Sequence, residues 1–368
     1  MKKFFYPLLF FVLLCTASVS AQTSRLYVGK YTGQNEKGLH VVDVDLAKGK
    51  FTLVSENDAG NNPSYICISK KRNIIYAVNE VGRFNGVRSG SVTALKLDPA
   101  SGKTEKINDL AVPNGGPCYI SISPEEDYLF VANYGGGSLA VVKLDANGAP
   151  SAVSDTIVFR GEEGTRSHAH MIAPGPGGKK VYLTDLGFDK VSVYDLDHAS
   201  GKLKNTGSAK LAKGSGPRHF TFSKDGSKMY VINELNSTMT VFSVAKDGNL
   251  TEIQTISTLP EGFTEKSYCA DVHLSKDGKF LYGSNRGHNS IVTYKVGKDG
   301  KLTVAGYTPC GGEWPRNFTL DPTGKYLLVG NQNSGNIAVF ALDKKSGLPL
   351  APSKEYKIKG PACLKFIE

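Results

Sequence analysis

One pattern returns six times along this chain, and it limits the possible folds more than any other feature. The segments are PSYICISKKRNIIYAVNE, PCYISISPEEDYLFVANY, AHMIAPGPGGKKVYLTDL, PRHFTFSKDGSKMYVINE, CADVHLSKDGKFLYGSNR and PRNFTLDPTGKYLLVGNQ. Each opens on Pro or a small residue, enters a short apolar strand, turns through a polar stretch such as SKDG or DPTG, and runs back along a second strand. The second strands end at Asn79, Asn133, Asp185, Asn233, Asn285 and Asn331, at spacings of 54, 52, 48, 52 and 46 residues. A repeat of this length is the signature of a four-stranded β-propeller blade. The remainder of each period supplies two more strands, as in MTVFSV, a KDGN turn and LTEIQTIST after Asn233. Asp-Gly and Asn-Gly pairs between alternating runs mark hairpins, and no stretch carries a helical period over ten residues.

Joining the two ends of the chain yields a seventh unit. GPACLKFIE reads as a first strand that stops short, SRLYVGKYT as the second, and LHVVDVDL and FTLVSEND as the third and fourth. The expectation is therefore an all-β, seven-bladed β-propeller closed by pairing of the N- and C-terminal strands, which leaves no open sheet edge. No linker or composition shift marks a second domain, so 22–368 read as one propeller unit. Forty-one glycines and seventeen prolines suit a chain of many turns.

Residues 1–21 read as a secretory signal: Lys2 and Lys3, an apolar FFYPLLFFVLL core, and a Val19-Ser20-Ala21 cleavage site before Gln22. The apolar run is too short to span a bilayer comfortably, and Leu14 before Cys15 does not fit lipidation. The expected location is outside the cytoplasm, in the periplasm or secreted. Five cysteines remain after cleavage (Cys67, Cys118, Cys269, Cys310 and Cys363), widely spaced and without a CxxC, which reads as small buried hydrophobes rather than disulfides or a zinc site. The formal charge of +10 falls to +8 without the two leader lysines. It is spread along the chain with no block of like charges, which argues against a nucleic-acid partner.

The repeat also locates the chemistry. The start of strand one and the end of strand two must share one face of the disc, so residues there ring one channel mouth. The position after the opening residue reads Ser64, Cys118, His170, Arg218, Ala270, Arg316 and Ala362, and the next adds Tyr65, Tyr119, His219, Asp271 and Asn317. The position after the terminal Asn or Asp adds Glu80, Tyr134, Leu186, Glu234, Arg286 and Gln332. Three arginines, a histidine and two glutamates at one opening are charges that a structural repeat does not need. Blander roles exist for each: an inter-strand Arg218–Glu234 ion pair, a packed His219, a loop arginine at 286. His168 and His170 lie two apart on a strand, as a metal pair would, but no third ligand matches them.

The whole stretch from LYVGKYT to the last strand resembles the seven-bladed lactonase propellers, which include propeller-type 6-phosphogluconolactonases and fungal carboxymuconate-lactonising enzymes. The most specific pieces are SHAHMIAPGPGGKKVYLTDLG, GSGPRHFTFSKDGSKMYVINE and FLYGSNRGHNSI. The resemblance implies catalytic roles for His170, Arg218, Glu234 and Arg286. Arg316, His168, His219 and Gln332 are expected as substrate contacts, with no metal or other cofactor. The implied activity is opening of a small anionic sugar-acid lactone by a monomeric enzyme without a membrane span. Arginines would stabilise charge on the lactone oxygen, and His170 or Glu234 would move the proton. Cycloisomerisation of an unsaturated carboxylate, or a non-enzymatic binding propeller with an exposed aromatic patch, are the alternatives.

Overall fold

The computed structural model describes residues 1–2, 23–33, 35–162 and 164–367. The expected signal segment therefore falls almost wholly outside the described residues. Among the described residues the regular structure is all strand: 28 strands in seven four-stranded antiparallel sheets. No helix of the described residues is long and apolar enough to cross a membrane.

Blade 1 consists of Ile66–Ser69, Ile74–Asn79, Ser89–Leu97 and Thr104–Pro113, in sequence order from channel to rim. Blades 2 to 6 repeat this plan, with inner strands at Pro117–Ile122, Ala169–Pro174, Pro217–Phe222, Tyr268–Leu274 and Pro315–Leu320. Blade 7 is the split one. Its inner strand is Pro361–Phe366, followed by Ser24–Lys30, Leu39–Asp45 and Lys50–Asn57. The two chain ends pair antiparallel with Leu26 opposite Phe366 and Val28 opposite Leu364. Each inner strand touches the inner strands of both neighbouring blades, and Pro361–Phe366 touches Ile66–Ser69, so the ring is closed. The seven-bladed expectation and its closure are both met.

Burial follows position in the blade. Second strands are covered on both faces by adjoining blades, so they read as continuous apolar runs: Ile74–Asn79 and Tyr128–Asn133 are buried at every residue. Outer strands such as Lys50–Asn57 are half exposed. The blades are also tied by a repeated hydrogen bond from a second-strand tyrosine to the outer hairpin of the next blade. Tyr76 donates to the Gly148 carbonyl, Tyr182 to Gly248, Tyr230 to Gly300 and Tyr282 to Gly347. A buried phenol needs such a partner, so the tyrosine fills the gap between blades and sets their spacing together.

In four blades the Asn that closes the second strand is a structural clasp. Asn79, Asn133, Asn285 and Asn331 donate to the carbonyls of Ala59, Pro113, Thr258 and Cys310, in the segments that enter their own blades. Close approach of blades 7 and 1 explains Gly29: a Cβ there would lie 2.4 Å from the Pro63 carbonyl oxygen. The five described cysteines are unpaired, and four of them are buried, as the sequence implied.

Candidate active site

The inner strands do not run straight to the channel mouth. In blades 2, 3, 4 and 6 the ladder skips one residue against the second strand, and the skipped residues are Cys118, His170, Arg218 and Arg316. In blade 7 it skips Ala362, and in blade 5 the irregularity takes in Ala270 and Asp271. A β-bulge of this kind frees a residue from the ladder and re-aims its side chain. It also lets two consecutive residues, Arg218 and His219, both reach the channel.

Cys118, His170, Arg218 and Arg316 line a cavity of about 220 Å3 together with Tyr31, Glu80, Tyr134, Glu234 and Arg286. The four residues expected to be catalytic are thus brought together, with Arg316 beside them. Glu234 is the centre of the charge arrangement: its Oε2 lies 2.9 Å from Arg218 Nε and 2.9 Å from Arg286 Nη2. The Arg218 Nε–H is not aimed along a hydrogen bond, so that contact is coulombic. Arg286 also donates to the carbonyls of Tyr268 and Cys269, and its guanidinium lies 5.3 Å from the Trp314 ring centre. Trp314 adopts φ of +66°, a strained conformation for a bulky residue. Asn289 Oδ1 accepts from its N–H, and its carbonyl accepts from the Gln332 N–H.

On the opposite wall Arg316 donates to Tyr31 Oη at 2.7 Å, and Tyr31 donates to Glu80 Oε2 at 2.7 Å. The Arg316 guanidinium also packs 5.0 Å over the Tyr31 ring centre. Tyr31 and Glu80 therefore hold one guanidinium while Glu234 holds two. Three arginines against two glutamates leave the lining with one excess positive charge, which favours an anion and disfavours a metal cation.

Protonation states follow from these neighbours. Burial would raise the Glu234 carboxyl, but Arg286, Arg218 and Arg316 outweigh it and hold the group below the usual carboxylate range. Burial and then Arg218 push the His170 imidazole far below its ordinary value, so it is neutral at pH 7. Its Nδ1 is buried without a hydrogen-bond partner among the described residues. Burial and then Arg218 lower Arg286 to about 10, which leaves it charged. Burial raises the Cys118 thiol to about 12, so this sulfur is no nucleophile.

Three expected substrate contacts lie elsewhere. His168 is outside the cavity lining and stacks on Tyr134, ring centres 4.4 Å apart, with its Nδ1 3.2 Å from the Tyr134 carbonyl oxygen. It precedes the strand Ala169–Pro174, and the bulge at His170 breaks the two-residue alternation that would have set both imidazoles on one face. Gln332 is half-buried behind Trp314 and also lies outside the lining. His219 sits one layer below the cavity, where Arg218 Nη1 donates to its Nε2 at 3.2 Å and its Nδ1 faces Asp271 Oδ1 at 2.7 Å. Tyr31 is the lining residue that sequence reasoning missed. It occupies the post-strand position in the split blade that Glu80 occupies in blade 1, so the same alignment extended across the chain ends would have found it.

A larger groove of about 560 Å3 between blades 5 and 6 lies on the opposite face, among the SKDG-type hairpins, away from these groups. Comparison with known proteins identifies the family. The family model "Lactonase, 7-bladed beta-propeller" matches residues 25–366. The 6-phosphogluconolactonase of Bacillus subtilis is 30% identical over 348 residues, covering 93% of this chain and 97% of that protein. The 6-phosphogluconolactonase of Formosa agariphila is 32% identical over 354 residues, covering 93% and 99%. The solved structure of a periplasmic gluconolactonase from Pseudomonas aeruginosa superposes with a TM-score of 0.89 at 33% identity, covering 94% of this chain and 99% of that one. The chain belongs to the lactonase family of seven-bladed β-propellers, and with it to the enzymes that open lactone rings.

Proposed function

We propose that this chain hydrolyses a six-carbon sugar-acid lactone of the 6-phosphogluconolactone or gluconolactone type in the arginine-lined cavity at the channel mouth. The observation that carries this reading is the Glu234 carboxylate shared by Arg218 and Arg286 opposite a buried, neutral His170. A lactone is an internal ester, and attack by water moves negative charge onto its carbonyl oxygen. Arg218 and Arg286 are the donors for that oxygen; Glu234 fixes their direction and keeps them from repelling each other. Donors arranged before the reaction stabilise the charge that develops in the transition state without reorganising.

His170 is the proton acceptor in this reading. It takes a proton from the attacking water and returns it to the ring oxygen as the acyl C–O bond breaks, giving the open hydroxy acid. Glu234 is a poor acceptor, because taking a proton would leave two guanidiniums without their counter-charge. Burial is the first cause of His170's neutrality and the guanidiniums the second; an anionic substrate compensates the guanidiniums, so the basicity of His170 rises when the proton must be taken. Arg316, fixed by Tyr31 and Glu80, is the contact for the substrate's hydroxyl or anionic end. A cavity of about 220 Å3 is below the roughly 300–1,000 Å3 of drug-sized ligand sites, which suits a single ring. The P. aeruginosa relative and the leader-like N-terminus support an exported enzyme acting outside the cytoplasm. Against a binding propeller stand the exposed large hydrophobics, scattered aliphatics such as Leu53, Val87, Leu235 and Leu350 rather than an aromatic patch.

The test is hydrolysis by the purified protein of gluconolactone, 6-phosphogluconolactone and neutral alkyl lactones, each with and without chelator. Chelator-insensitive turnover that favours the sugar-acid lactones is expected. Absence of turnover on every lactone would refute the reading.

A further inference from the structure

Below the charged cavity the channel holds a second polar layer to which the reaction described above gives no part. Its centre is Asp271, buried at 2% exposure. Oδ1 accepts from the Val272 N–H at 3.0 Å and lies 2.7 Å from His219 Nδ1. Oδ2 accepts from Asn317 Nδ2 and the Phe318 N–H, and lies 3.0 Å from His273 Nε2. Burial works against its ionisation, but His273 and His219 more than compensate, and the carboxyl stays ionised.

An ionised carboxylate can only accept, so His219 must carry its proton on Nδ1. Its Nε2 is then a lone pair, and Arg218 Nη1 is 3.2 Å away. We propose that Asp271 is a positioning residue for the lactonase reaction: through the His219 tautomer it supplies the acceptor that holds the Arg218 guanidinium in its working direction. The inference rests on the assignment of Arg218 to the developing oxyanion. Three fixed points then define that guanidinium: the Ala270 carbonyl, His219 Nε2 and Glu234. The backbone is pinned as well, since Thr184 Oγ1 donates to the Arg218 carbonyl at 2.6 Å. With the opposite tautomer His219 would present an N–H to Nη1, and the arginine would have to swing away.

Two variants of His219 separate this role from simple packing, which a change at Asp271 would not. Asp271→Asn places an NH2 group against the Val272 or the Phe318 N–H in either orientation, so it disturbs the tautomer and the fold together. His219→Asn keeps a donor where Nδ1 was and drops the acceptor for Arg218, leaving Asp271 satisfied. His219→Gln keeps an acceptor near the Nε2 position.

The expected result is a 10- to 100-fold loss of kcat for His219→Asn, a smaller loss for His219→Gln, and melting temperatures close to that of the parent for both. In an Arg218→Ala background, His219→Asn should cost nothing further, because its effect passes through the missing guanidinium. An additive loss there, or unchanged kcat in the single variant, would overturn the proposal. A readout independent of activity is the imidazole 15N spectrum of the parent protein. The Nδ1–H tautomer at His219 supports the proposal and the Nε2–H tautomer overturns it, even if the protein opens none of the lactones tried.

Discussion

Replacing Glu234 by Gln asks whether the residue moves a proton or holds charges in place. The carboxylate touches two guanidiniums at 2.9 Å through a single oxygen. An amide has one accepting oxygen and presents its NH2 to whatever faces the other side. Removing one partner of a buried ion pair costs about 3–5 kcal/mol. The Glu234 side chain is 17% exposed, so the low end of that range, about 3 kcal/mol, applies. For a propeller of this length that is a fall of about 4 °C in Tm, from the average unfolding entropy per residue. The lining charge rises from +1 to +2, because three arginines then face Glu80 alone. Anionic ligands should bind as tightly as before or more tightly, while kcat drops by about 10- to 100-fold because two guanidiniums are no longer aimed. The pH–rate profile should keep its acidic limb, since His170 is untouched. The measurements are a thermal melt, KM and kcat from pH 4.5 to 8.5, and the affinity for gluconate. Loss of the acidic limb with KM unchanged would identify Glu234 as the proton acceptor and refute the mechanism.

Arg218→Ala and Arg286→Ala should each lower kcat/KM by about 10²–10³, worth roughly 3–4 kcal/mol of transition-state stabilisation; variants that melt early yet keep full activity per folded molecule would mark these arginines as structural. Deleting 360–368 removes Leu364 and Phe366, exposed by only 1% and 8%, and uncovers Leu26 and Val28 opposite them. At about 1.5–3 kcal/mol per large apolar side chain this consumes most of the ordinary stability of a folded protein, so a truncated chain that melts with the parent would rule out closure through this strand. Acid should destabilise the fold earlier than carboxylate protonation alone would. Burial and Arg218 lower His219 to about 4 against an ordinary 6.5, so the unfolded chain takes up this proton first. The associated stability is present above pH 6.5 and lost as pH falls towards 4, worth roughly 3 kcal/mol. Melting temperatures that stay flat between pH 7 and 4.5 would contradict that.

The propeller was legible because its blades repeat: strand endings at Asn79, Asn133 and Asn233 mark the period whatever the side chains between them do. The same alignment placed Arg218, Glu234, Arg286, Arg316 and His170 at one mouth, since channel geometry leaves those positions nowhere else to go. Three things escaped it. Tyr31 was lost because the split blade puts it at the other end of the chain from its inner strand. His168 and Gln332 fell outside the lining because each lies one residue beyond its strand, and a position near the mouth is not a position in it. The Asp271–His219 layer was read as part of the mouth itself: the alignment set His219 and Asp271 beside Arg218, and the depth at which each sits follows from the bulges and not from the repeat.

Those bulges have a consequence for how such a protein changes over time. In an unbroken strand a substitution alters a packing face that the next blade must match, so most changes are costly. A residue lifted out of the ladder at the channel mouth has no such counterpart. Cys118, His170, Arg218, Arg316 and Ala362 occupy equivalent seats around one opening, and a single codon change at any seat alters the chemistry presented there without changing the register. Ala362 is a seat left empty, and Cys118 holds a sulfur too buried to react. A closed ring built this way can keep its architecture while its substrate drifts, one blade at a time.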